Sequence, residues 1–211
     1  MLSRKGLNMS DEFKISLAQL NATVGDLSGN TQKVIEAWEI ARDQRSDLIA
    51  FPELFITGYN PQDLILKTAF QKAATSSIDQ IAKACAQGPA IAIGGPFYDE
   101  NKLYNSYYIL ADGKIQAVIK KHHLPNEEVF DEVRLFSSGN VDGPFQIGKM
   151  RIGSPICEDA WHRDIVETLA ETGAQTLLVP NGSPYYRGKT EIRQNVMVSR
   201  VIELSLIHIS E

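Results

Sequence analysis

At 211 residues the chain suits one domain, or at most two small ones, with room for a substantial core. Its net charge of −5 leaves no basic excess to drive counterion release, which argues against nucleic acid as a partner, and no apolar run approaches the roughly 18 residues of a membrane span. Two cysteines, Cys85 and Cys157, give no disulfide framework, and MLSRKGLNMSDEF lacks the apolar stretch of a signal peptide, so a cytoplasmic protein handling small molecules or other proteins is expected.

Residues 1 to 11 read as a disordered extension. Phe13 to Asn21 alternates apolar and polar residues as a strand does, GDLSGN reads as a turn, and Asn30 or Thr31 is the expected cap of a helix carrying Val34, Ala37, Trp38 and Ala41 at helical spacing. Asp47 to Phe51 is a short buried strand ending at Pro52 and Glu53. Pro61 opens a helical region that runs with breaks to about Gln87, and Pro89 to Gly94 is another apolar strand. Tyr104 to Leu110 and Ile115 to Lys121 flank Asp112-Gly113, a hairpin signal. LPNEEVFDEVRLFSSGN is long, polar and aperiodic, and is expected to lie over a site. Gly148-Lys149 joins two further strands, Arg163 to Thr172 is an amphipathic helix, Gln175 to Pro180 a strand, and Lys189 to Leu204 a helix. Strands alternating with helices, interrupted by two hairpins, predict an α/β domain with mixed sheets.

The stretch RIGSPICEDAWH places Cys157 where a buried strand, Ile152 to Ile156, bends toward a helix, so the sulfur is a candidate nucleophile. Adjacent Glu158 and Asp159 would oppose thiolate formation if they pointed at it, so a cation and a base must come from elsewhere. Two other strand ends deliver them and complete a set suited to attack on an amide or nitrile carbon: Glu53 as a base that also returns the proton to departing ammonia, and Lys121 as a cation favouring both thiolate and oxyanion. Each residue has a plainer reading: Cys157 as a buried small hydrophobe, Glu53 as a turn cap, Lys121 as a solvated strand end, Glu132 as an ordinary loop acid. His122 and His123 suggest a metal site, but neighbours on a strand face opposite ways and no third ligand is spaced to join them, so no metal is expected. Gly182 to Thr190 imitates a P-loop, yet it has five residues between its glycines, including Pro184, which lacks an N–H.

Taken in order, FPELFITGY, KKHHLPNEEVFDEVRLF, ICEDAW and NGSPYYRGKTEIR resemble the nitrilase (carbon–nitrogen hydrolase) superfamily over about residues 13 to 204, and within it most closely the glutaminase domains of glutamine-dependent NAD synthetases. The resemblance implies an α-β-β-α sandwich of two mixed sheets over residues 12–204. It assigns Glu53 as general base, Lys121 as stabiliser and Cys157 as nucleophile, with Glu132 orienting substrate and Tyr59, Ser183 and Arg187 lining a glutamine pocket. It implies glutamine as substrate, no cofactor for its hydrolysis, homo-oligomers, and ATP used only by a separate synthetase domain. A free-standing amidase or omega-amidase and a catalytically incomplete binding or assembly fragment are the alternatives. Glu127 stands where the family usually has an aromatic residue. Residues 205–211 do not resemble the family and read as foreign sequence or as a divergent final strand, so the domain is expected to be truncated at its C-terminus.

Overall fold

The computed structural model describes residues 12–126, 130–182, 189–204 and 207–210. Five strands form the first sheet in the order β1-β2-β3-β4-β5: β1 (Ile15–Leu17), β2 (Leu48–Ala50), β3 (Ala90–Asp99), β4 (Lys102–Ala111) and β5 (Lys114–Lys120). The first three are parallel, and β4 and β5 add antiparallel neighbours. The second sheet has the order β6-β7-β8-β9, from β6 (Phe145–Ile147), β7 (Met150–Gly153), β8 (Thr176–Val179) and β9 (Ile207–Ser210). Here only β6 is antiparallel, and β9 lies parallel to β8 with Thr176 opposite Ile207.

Period-2 alternation sorts the side chains into three layers. Ile49, Ile91, Ile93, Tyr108 and Leu110 pack outward with Val34, Trp38 and Ala41 of α1 (Leu27–Asp43) and Ala74, Ile78 and Ile81 of α2 (Thr68–Ala84). Their strand neighbours Leu48, Ala50, Ala90, Ala92, Tyr107 and Ile109 face the other way, against Phe145, Ile152, Ile156 and Leu178 of the second sheet. Leu177 and Val179 turn from that layer to meet Ile165, Val166 and Leu169 of α4 (Arg163–Glu171) and Met197 of α5 (Lys189–Leu204). The result is the expected α-β-β-α sandwich of two mixed sheets. A four-residue helix, α3 (Glu132–Leu135), lies in the long polar stretch. None of the described helices is long and apolar enough to cross a membrane.

Several boundaries differ from the sequence expectation. The first strand shortens to three residues because its parallel neighbour β2 offers only three partners. Helix α1 begins earlier than expected: Asp26, not Asn30 or Thr31, is the cap, its carboxylate accepting the Gly29 N–H at 2.9 Å. Asn30 is fully buried and instead donates to the carbonyls of Thr23 and Ile56. The hairpin turn is as expected, with φ of +53° and +75° at Asp112 and Gly113, the left-handed pair that a two-residue connection requires.

Candidate active site

β2 and β5 run in the same direction, so Glu53, three residues past β2, and Lys121, one past β5, emerge at the same end of the first sheet. Glu53 rides on a turn pressed against β3, where the Gly94 N–H donates to the Pro52 carbonyl at 3.3 Å. Only glycine permits that approach, because a Cβ on Gly94 would lie 2.1 Å from the Leu54 nitrogen. Lys121 prolongs the hairpin ladder, its N–H donating to the Asn105 carbonyl at 2.9 Å and its own carbonyl accepting from Gly139 at 2.8 Å.

The two side chains meet in the interior. Lys121 is 0% exposed, and its Nζ donates to Glu53 Oε1 at 2.7 Å and lies 2.9 and 3.0 Å from the two oxygens of Glu132. Burial disfavours the ammonium, but the charges of Glu53, Cys157 and Glu132 outweigh it and hold the Lys121 pKa above its ordinary value. Glu132 shows the converse. Burial and the Glu53 charge push its carboxyl up to about 7, with Lys121 pulling the other way. Taken alone, two buried carboxylates around one buried ammonium carry net negative charge.

Asn105 is the residue that sequence reading missed. It sits within β4, fully buried, and its amide nitrogen donates to Glu53 Oε1 at 2.8 Å while lying 3.4 and 3.5 Å from the Glu132 oxygens. Its Oδ1 has no partner among the described residues. The one available signal was an amide inside a strand, Lys102–Ala111, that is otherwise mostly apolar or aromatic.

Cys157 opens a short 3-10 helix, Cys157–Trp161, with a φ of +48°. A β-carbon-bearing residue adopts such a φ only where its surroundings impose it. Here its N–H is tied to the Pro180 carbonyl beyond β8 at 2.9 Å. The residue is 3% exposed and in no disulfide. Its charge acts on Lys121 and on Tyr59, whose pKa is raised first by burial, then by Glu53, Glu132 and Cys157. The cysteine is therefore tied electrostatically to Lys121 and Tyr59, both of which contact Glu132, and through Lys121 to Glu53. At the start of its helix the Glu158 N–H finds no acceptor among the described residues, one of the donors that a helix start leaves free.

The two acids beside the cysteine point elsewhere. Asp159 is buried and accepts the N–H groups of His123 at 2.7 Å, His122 at 3.2 Å and Ile156 at 3.1 Å. Glu158 reaches His162, with Oε1 3.4 Å from Nε2. Tyr59 donates to Glu132 Oε1 at 3.3 Å and covers Gly182, where a Cβ would lie 2.7 Å from its ring. Gly182 in turn donates its N–H to Glu53 Oε2 at 2.8 Å. Of the seven residues singled out by sequence, Glu53, Tyr59, Lys121, Glu132 and Cys157 come together. Ser183 and Arg187 lie outside the described residues, as does Glu127.

His122 and His123 do not face opposite ways as strand neighbours would. Both residues lie past the end of β5, on a bend, so their rings come within 4.7 Å of each other, and Asp164 supplies a third donor.

A family model described as carbon–nitrogen hydrolase matches residues 14–204. The glutamine-dependent NAD(+) synthetase of Rhodobacter capsulatus is 49% identical over 198 residues, which is 94% of this chain and 36% of that protein. A solved structure of glutamine-dependent NAD+ synthetase from Acinetobacter baumannii in complex with ADP superposes with a TM-score of 0.89 at 34% identity, covering 94% of this chain and 38% of that one. The fold is also shared with an amidase from Nesterenkonia sp., with a TM-score of 0.80 at 23% identity. The chain thus spans little more than a third of the length of the curated relatives it matches. With the family's match running from β1 through α5 and over every strand end that carries the buried cluster, the chain belongs to the carbon–nitrogen hydrolase family.

Proposed function

We propose that this chain hydrolyses the side-chain amide of glutamine through a Cys157 thioester, as the ammonia-donating part of a glutamine-dependent NAD synthetase. The observation that carries the reading is Lys121, a fully buried ammonium held between Glu53 and Glu132 within the field of Cys157. A buried charge cluster of this kind is costly to keep, and reactive sites are where such clusters concentrate.

Glu53 takes the Cys157 proton as sulfur attacks the amide carbon, and the carbonyl electron pair moves onto oxygen. The Lys121 ammonium, already in contact with both carboxylates, sets its positive charge against that oxyanion, which the Glu158 N–H joins in stabilising. Glu53 then gives its proton to nitrogen, the C–N bond breaks, and ammonia leaves a thioester. Water attacks next, losing a proton to Glu53. Collapse breaks the C–S bond, and the sulfur regains its proton as glutamate departs. Glu53 accepts three hydrogen bonds, leaving one of its roughly four lone-pair sites for this shuttling. Every step balances with these groups and water, so no cofactor is required.

Glu132 orients the substrate, and Tyr59, Ser183 and Arg187 line its pocket, with the guanidinium pairing the glutamine carboxylate. Ammonia passes to a synthetase domain, where ATP is consumed. A cytoplasmic location suits the two unbridged cysteines, and homo-oligomeric assembly completes the proposal. Ammonia and glutamate release from glutamine, compared with asparagine and simple amides, tests the assignment. Cys157→Ala should reduce turnover to background, and a fully active variant would rule the reading out.

A further inference from the structure

Immediately past β5 the backbone bends so that the consecutive N–H groups of His122 and His123 converge on one carboxylate, that of Asp159. In a strand those two groups would face opposite ways, and so would the side chains. The bend instead brings both rings to one side, 4.7 Å apart and edge to face, and the His162 ring stacks on His123 at 3.7 Å. Asp164, in the first turn of α4, closes the group, with both carboxylate oxygens 3.2 Å from His123 Nε2.

We propose that His122, His123 and Asp164 bind a divalent transition-metal ion of the zinc class. This site is independent of the glutamine reaction.

The geometry argues for it in three ways. One donor atom from each residue lies within 4.8 Å of the other two, close enough for modest side-chain rotation to bring all three onto one ion. Two donors at about 2.0–2.1 Å from a tetrahedral ion stand roughly 3.3 Å apart, which is close to the 3.2 Å already separating His123 Nε2 from Asp164. The ion would replace the proton those two groups now share. Finally, His122 Nδ1 lies 2.7 Å from the Gly139 carbonyl, which can only accept. The proton therefore sits on Nδ1, and the neutral ring keeps the Nε2 lone pair that a metal would take.

Two imidazoles and one carboxylate favour zinc, cobalt or nickel over magnesium and calcium, which prefer all-oxygen shells. Asp164 is exposed and His123 half-buried, so an ion can enter from solvent and water can fill the fourth position.

Calorimetric titration of untagged protein with zinc, and with cobalt(II) followed by its visible absorption, tests the site. One ion per chain should bind in the micromolar range with a tetrahedral cobalt spectrum. His123→Ala and Asp164→Asn should each weaken binding roughly tenfold or more, while Cys157→Ser should leave it unchanged. Circular dichroism confirms that each variant is folded, and Asp164→Asn alters only an exposed side chain. Absence of saturable binding, or wild-type affinity in His123→Ala, would overturn the proposal. So would loss of binding in Cys157→Ser, which would place the ion on the thiol.

Discussion

Asp159 accepts the His123 N–H at 2.7 Å, and through this bond the segment that carries Lys121 is fastened to the turn that carries Cys157. The same carboxylate takes the N–H of Ile156, just before the cysteine, so one side chain holds both halves of the cluster in register. Asp159→Ala leaves three donors without their acceptor at a cost of about 1–3 kcal/mol for each that water cannot reach. A lowered denaturant midpoint together with a lower kcat is expected from urea unfolding and glutaminase assays. An unchanged midpoint would show that the carboxylate bonds contribute nothing to holding the two segments.

Removing the central cation should be more damaging. Lys121→Met leaves Glu53 and Glu132 buried against one another without a counter-charge, so one of them must take up a proton. The expected loss is about 3–5 kcal/mol of stability. Turnover should fall about 10²–10³-fold as the oxyanion loses its donor. Steady-state kinetics on whatever fraction remains folded separates the two effects.

The carboxyl of Glu132 makes stability depend on pH. Its pKa rises from the ordinary 4.5 to about 7 on folding, so between those values the folded chain binds the extra proton. Its contribution is fully present below pH 4.5 and is lost as pH rises through 7. Urea unfolding across this window should show Glu132→Gln gaining on the wild-type protein as pH increases, because the amide cannot ionise. A constant difference between the two proteins would place the carboxyl's titration elsewhere.

Asn105 should affect rate more than binding. Asn105→Ala withdraws a donor from both Glu53 and Glu132, and the loss of one hydrogen bond to a buried charged group, about 1.5–3 kcal/mol, corresponds to roughly a ten- to hundredfold fall in kcat. The KM for glutamine should change far less, since the amide touches the base and not the substrate. A KM effect alone would assign Asn105 to the pocket wall.

Gly94 allows a test of the scaffold without touching a polar group. Gly94→Ala drives a methyl into the backbone of the turn bearing Glu53, at a cost of about 1–3 kcal/mol or more, and should displace the carboxylate from Lys121. Wild-type stability and turnover in this variant would contradict the close approach.

Glu53, Lys121 and Cys157 stood out in the sequence as residues at the ends of apolar strands, and the order of the motifs that carry them, through its resemblance to a family, supplied most of the assignment. The alternation in Leu48–Ala50, Ala90–Asp99 and Lys102–Ala111 likewise exposed the two faces that the sandwich buries. Asn105 stayed hidden because its role arises from the pairing of β4 with the residues that follow β5, a relationship across the sheet that no local pattern carries. The side-by-side placement of the His122 and His123 rings escaped the sequence for a related reason. Strand alternation was extended one bend too far, past the point where Asp159 gathers both of their N–H groups. Asp26 was overlooked as a cap because Asn30 and Thr31, equally suited to capping by type, lie one turn later and are buried.

The most direct test of the proposed chemistry is covalent. A glutamine analogue bearing a diazoketone in place of the amide, incubated with the protein and followed by intact mass and peptide mapping, should add one label per chain on Cys157, slowed by excess glutamine and absent in Cys157→Ala. Labelling of Cys85, or undiminished labelling of the Cys157→Ala variant, would contradict the assignment of Cys157 as the nucleophile.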